Sequence, residues 1–128
     1  MIYHKHLLVN AKVSSPMRDE QVAIDFLNDL VKRIDMNIFE GPFARFIAED
    51  AEGNSGLTAI VLIETSHIAF HIWDQVDPGL LQFDLYTCKD LDLDEVMMAL
   101  NEGFDIVSMD WVLYDRENGF KIEKQGSK

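Results

Sequence analysis

Residues 64–73 read ETSHIAFHIW and residues 80–88 read LLQFDLYTC. These two stretches carry a serine, two histidines, a tryptophan, a tyrosine and the single cysteine of the chain. Ile68, Phe70 and Ile72 alternate with His67, Ala69, His71, Trp73 and Gln75. Leu81, Phe83 and Leu85 alternate with Gln82, Asp84, Tyr86 and Cys88. A strand sends successive side chains to opposite faces, so both stretches present one apolar face and one chemically equipped face. A sheet face turned to water usually carries Lys, Glu and Thr. A mixture of His, Trp, Tyr and Cys suits a pocket or an interface instead.

Several chemistries fit these residue types. His67, His71 and Cys88 are zinc-ligand types, but four residues along a strand span about 13 Å, too far for both imidazoles to reach one ion. No metal is therefore expected. Cys88 with histidines nearby could be a reactive thiol, although a free cysteine is more often a small buried residue at a strand end. Ser66 sits where the alternation changes phase. Ser66 and His71 differ by five, so an unbroken strand would put them on opposite faces. Their cooperation requires a bend or break at Ser66.

The surrounding elements follow from periodicity and turn residues. Residues 3–13 read as a first strand ending at Ser14-Ser15-Pro16. Residues 17–36 carry Val22, Ala23, Phe26, Leu27, Leu30, Val31 and Ile34 at helical spacing, with Ser14 or Ser15 as cap. A strand interrupted at Gly41-Pro42 covers 37–50, and 51–56 is turn chemistry. The apolar run 57–66 suits a central strand. After the two alternating stretches, 92–104 reads as a second helix, with Leu91 or Asp92 near its cap and Gly103 near its end. Residues 105–115 form a last strand, alternating through Val107, Met109, Trp111 and Leu113, and the tail KIEKQGSK is expected to fray. The order β-α-β-β-β-β-α-β predicts an α+β, two-layer α/β sandwich, with two helices on one face of a mainly antiparallel sheet.

The length of 128 residues suits a single domain over 1–128. The formal net charge of −12, with Lys and Arg scattered, argues against nucleic acid and anionic membranes as partners. No segment reaches the ~18 apolar residues of a membrane span, and the N-terminus lacks a signal-peptide pattern. A cytoplasmic protein is expected.

The combined pattern GLTAIVLIETSHIAFHIW (56–73) and QFDLYTC (82–88) resembles the prokaryotic class of S-adenosylmethionine decarboxylase. That family carries a Gly-x-Ser/Thr-Gly stretch before an apolar strand. It then has Glu-Ser-His-Ile-x-x-His-Thr-Trp-Pro-Glu and Asp-x-x-Thr-Cys, and KHLLVNA (5–11) is similar to its opening strand. The resemblance implies a proenzyme that cuts itself between Thr65 and Ser66 into a β chain, 1–65, and an α chain, 66–128. Ser66 would become a pyruvoyl group, the self-derived cofactor that forms a Schiff base with a small-molecule substrate. His71 would assist processing, Thr58 would help the ester form, and Cys88 would be the proton donor. His67, Trp73, Gln75 and Phe46 would contact substrate. Family members pair sheets into dimers, so a homodimer is implied.

Three positions depart from the family pattern. Thr65 stands where the family has Glu, with Glu64 one residue earlier. Gln75 stands where the family has the glutamate expected to bind ribose hydroxyls. The segment 41–54 is longer than usual. The main expectation is decarboxylation of S-adenosylmethionine for spermidine synthesis. Gln75 motivates the alternative of a pyruvoyl decarboxylase for another amino acid, such as arginine or ornithine. Thr65 motivates that of an uncut, non-catalytic homologue.

Overall fold

The computed structural model describes residues 3–47 and 53–128. The elements are β1 (Lys5–Val13), α1 (Glu20–Arg33), β2 (Glu40–Ile47), β3 (Gly56–Ile63), β4 (Ser66–Trp73), β5 (Gly79–Thr87), α2 (Leu93–Gly103), β6 (Ile106–Asp115) and β7 (Lys121–Ser127). The strands form one antiparallel sheet in the order β2-β3-β4-β5-β1-β6-β7. This is the expected two-layer sandwich with one more strand than the sequence reading.

The apolar parities meet the helices. Leu7, Val9, Ala11 and Val13 of β1, Ile68, Phe70 and Ile72 of β4, and Leu81, Phe83 and Leu85 of β5 are all buried. They pack against Ala23, Leu27, Leu30 and Val31 of α1 and Val96, Ala99 and Leu100 of α2. Phe26, Phe70 and Phe104 meet edge to face at the centre, with ring centroids 4.8–5.9 Å apart. Among the described residues of one chain, no layer covers the opposite face of the sheet.

Several expectations need correction. α1 starts at Glu20, not 17, and its cap is Asp19, not Ser14 or Ser15. The Asp19 carboxylate accepts from the Gln21 and Val22 amides at 2.8 and 3.4 Å. Pro16 lies ahead of the helix and packs on Gly79. Val22 lies off the apolar stripe and is half exposed, as is Val107 in β6. α2 is capped by Asp92, one of the two expected residues. The expected strand over 37–50 starts at Glu40, not 37, with a register shift between Glu40 and Phe43; residues 48–52 lie outside the described part.

The tail expected to fray is instead β7. Ser127 Oγ donates to Asp110 Oδ1 at 2.7 Å, and Lys128 and Met109 exchange backbone hydrogen bonds at 2.8 and 3.1 Å. The Trp111 indole closes on β7 at Gly126, where a Cβ would sit 2.8 Å from the ring. A similar close approach occurs at Gly56, where β3 meets the end of β4. A Cβ there would stand 1.7 Å from the Ile72 carbonyl oxygen, which is backbone and cannot yield. Gly56→Ala is expected to lower stability by at least about 2 kcal/mol, read as a shift of the urea midpoint.

Candidate functional site

The β3–β4 connection is a two-residue turn, Glu64-Thr65, closed by the pair Ile63 and Ser66. Glu64 has φ 53°, a left-handed conformation that costs a side-chain-bearing residue about 1–2 kcal/mol. Asn37 Nδ2 donates to the Glu64 carboxylate at 3.2 Å and ties the turn to the loop after α1. The Thr65–Ser66 bond is therefore the exit from a strained, anchored turn.

Ser66 is buried at 8% exposure and shares the parity of Ile68 and Phe70, which face the helix layer. The Cys88 amide donates to Ser66 Oγ at 3.1 Å, and that hydroxyl donates to the Cys88 sulfur at 3.7 Å. The Thr65 hydroxyl lies 3.0 Å from the same sulfur. Hydrogen bonds from Thr65 and then Ser66 stabilise the thiolate and lower the Cys88 pKa, against a smaller upward push from burial. Thr65, Ser66 and Cys88 form one cluster: a hydroxyl beside the carbonyl that precedes it, with a thiol in proton-transfer range.

His71 is not in that cluster. The bend precedes Ser66 instead of falling within β4, and β4 runs unbroken from Ser66 to Trp73. Ser66 and His71 thus keep opposite parity and lie about 16 Å apart along the strand. His71 pairs across β3 with Thr58, and His71 Nδ1 lies 3.0 Å from Thr58 Oγ1. Trp73 stands beside His71 at 5.9 Å between ring centroids, and its indole N–H donates to Asn54 at 3.0 Å. Gln75 is exposed beyond the end of β4. Phe46 lies opposite Leu57, a core residue, and carries the Arg18 guanidinium over its ring at 4.9 Å. In one chain Phe46 therefore does not share the open face of His71 and Trp73.

Sequence reading missed a second cluster. His6 of β1 and His67 of β4 both bond Asp84 Oδ2 of β5, at 2.7 and 2.9 Å. Arg116 lies 3.0 Å from His6 Nδ1 and stacks over Tyr86 at 4.8 Å, and His4 meets the Tyr86 hydroxyl at 2.8 Å. Burial pushes the Asp84 pKa up, but the hydrogen bonds from His6 and His67 outweigh it and hold the carboxyl well below the usual carboxylate range. The signal available in sequence was parity alone: His6, His67 and Asp84 all fall on the polar side of alternating strands.

With this geometry in hand, the comparison with known families is decisive. The family model described as S-adenosylmethionine decarboxylase matches residues 5–117. The chain belongs to the S-adenosylmethionine decarboxylase family. The match runs from β1 to just past β6 and includes both clusters. The family is one of decarboxylases, carbon–carbon lyases, and is generally pyruvoyl-dependent. No helix among the described residues is long and apolar enough to cross a membrane.

Proposed function

We propose that the chain decarboxylates S-adenosylmethionine with a pyruvoyl group made from its own Ser66, supplying the aminopropyl donor for spermidine synthesis. The observation that carries this reading is the Thr65–Ser66–Cys88 cluster at the exit of the strained turn, in a chain of this family. The residues fit the group. Ser66 Oγ already sits between the Cys88 amide and thiol, so a carbonyl formed there has a donor and an acid beside it.

The chain's own residues make the group. Ser66 Oγ attacks the Thr65 carbonyl, the C–N bond breaks and an ester forms. Loss of the Ser66 α-proton expels residues 1–65 as a carboxylate and leaves dehydroalanine. Water then replaces its nitrogen as ammonia, giving a ketone. Relief of the Glu64 turn favours the first step. A pyruvoyl ketone can condense with a primary amine and accept the electron pair released when CO₂ departs. Cys88 holds the proton that returns to carbon, with its sulfur 3.7 Å from Ser66 Oγ.

His71, Thr58 and Trp73 enter through a second copy. The uncovered sheet face carries exposed Leu8 and Ile60 and a trough of about 740 Å³ lined by Leu8, Asn10, His71, Gln82, Asp84 and Val112, among others. Pairing two such faces about a two-fold axis covers that apolar surface. It can also bring the partner's His71 over the backbone of Ser66 from the open face, within reach of the α-proton, whereas the chain's own His71 lies about 16 Å along the strand. The net charge of −12 suits a cationic substrate, the sulfonium of S-adenosylmethionine and a basic amino acid alike.

An intact-mass spectrum of the purified protein tests the reading. Two chains, 1–65 and 66–128, are expected, with CO₂ released from S-adenosylmethionine and not from arginine or ornithine. Release from either amino acid alone would favour the reading motivated by Gln75. A single uncut chain would overturn pyruvoyl catalysis.

A further inference from the structure

The surroundings of Cys88 do not survive the chemistry that Ser66 is proposed to perform. In the uncut chain two hydroxyls meet the sulfur, Thr65 Oγ1 at 3.0 Å and Ser66 Oγ at 3.7 Å. Thr65 first and Ser66 second hold the thiol pKa down. Scission removes the second of these. When the Ser66 α-proton is lost and the Cβ–Oγ bond breaks, Oγ leaves as one of the two oxygens of the Thr65 carboxylate. An oxygen that donated a hydrogen bond to sulfur thus ends in a negative charge on the neighbouring residue.

That charge has little freedom to move away. Ile63 is buried at the end of β3, which pairs with both β2 and β4, and the Phe39 amide donates to the Leu62 carbonyl at 2.8 Å. Two residues beyond Ile63 reach at most ~7 Å. Asn37 shortens the tether further through its 3.2 Å bond to the Glu64 carboxylate. The charged groups that line the small cavity beside Ser66 and Cys88 are Glu64 of the turn and Lys89 after β5; Met36 and Asn37, after α1, are neutral. Tyr3, ahead of β1, meets Cys88 through its backbone amide at 3.2 Å. Glu64 and Lys89 keep their charges through the cut, so the change at the sulfur comes from Ser66 and Thr65.

We propose that Thr65 is a positioning residue for Cys88: as the new chain end it stays beside the thiol, and its carboxylate keeps the thiol in the protonated form that a proton donor needs. The proposal rests on the reading of Ser66 given above and adds an order of events to it. While the bond is whole, two hydroxyls draw the thiol toward thiolate. Once it is cut, one hydroxyl is gone and a like charge stands beside the sulfur, and both changes favour the thiol. Cys88 therefore becomes a proton-holding acid only in the chain that has made its carbonyl.

Alkylation by iodoacetamide, followed by mass, tests this without turnover, because Cys88 is the single cysteine and only its thiolate reacts. The uncut Ser66→Ala chain already lacks the Ser66 hydroxyl, so its comparison with the cut wild type isolates the new carboxylate. The pH at which the rate is half-maximal is expected to be at least ~1 unit higher in the cut protein. Within the uncut Ser66→Ala chain, Thr65→Val should raise the midpoint and Thr65→Ser should restore it. In cut protein with carbon-13 at the Thr65 carboxyl, the resonance should move with the Cys88 titration and lose that step in Cys88→Ala. A midpoint unchanged or lowered by the cut, or a Thr65 resonance indifferent to Cys88→Ala, would overturn the proposal. If the wild-type chain stays whole, the reading of Ser66 fails and this one with it; if it is cut and the midpoint does not rise, this one fails alone.

Discussion

A Ser66→Ala chain is expected to purify as one polypeptide of 128 residues, unreactive to carbonyl-trapping reagents and without measurable CO₂ release. The loss is chemical. Alanine fits the same strand position, and the substitution removes a hydroxyl that accepts one amide hydrogen bond from Cys88, which costs about 1 kcal/mol. Chemical denaturation should therefore show a folded protein. Cys88→Ala makes the informative contrast. It leaves Ser66, the Glu64 turn and the Thr65 carbonyl in place, so cleavage should proceed. The decarboxylation rate should fall ~10²–10⁴-fold, because the acid that returns a proton to carbon is gone. Mass spectra of the two variants with a CO₂ assay separate making the group from using it. A Ser66→Ala protein that still splits at the same bond would refute the assignment of Ser66. A Cys88→Ala protein with full turnover would refute that of the proton donor.

The parts of this molecule that follow a short period were legible from sequence. The two faces of β4 and β5 came from alternation, and the apolar parity is buried as expected, with Ile68, Phe70, Leu81 and Leu85 at 0%. Interactions between residues distant in sequence were not legible. His6 reaches Asp84 across 78 positions, and Arg116 reaches His6 across 110, because β1 inserts between β5 and β6. No local pattern encodes that insertion. β7 was missed for a related reason: its sequence is polar, and what holds it is Trp111 closing on Gly126 and an exchange with Met109 on β6. Ser66 shows a third limit. The phase change in the alternation was visible, but not whether the bend fell before or after Ser66. It falls before, as the Glu64-Thr65 turn, and that one-residue difference keeps His71 on the far face.

That separation leads to the sharpest test of assembly. One chain places the Thr58–His71 pair about 16 Å from Ser66 on the opposite face, so a role for His71 in processing requires a neighbour to supply it. Each of two variants should remain uncut alone: Ser66→Ala lacks the nucleophile, and His71→Ala lacks the assisting imidazole. Co-expressed, they form mixed dimers in which the Ser66 of the His71→Ala chain meets the intact partner's His71. Cleavage should return there and nowhere else, reaching about half of the His71→Ala chains at equal mixing in a two-fold dimer. If His71 acted within its own chain, no mixture could restore it, because the chain that keeps Ser66 is the one that lost the imidazole. Sedimentation should find dimers at micromolar concentration, with an interface of the ~1,200–2,000 Å² that a specific pair buries. Stable mixed dimers with every chain uncut would mean that no exchange of His71 between copies takes place and would refute this reading of the assembly.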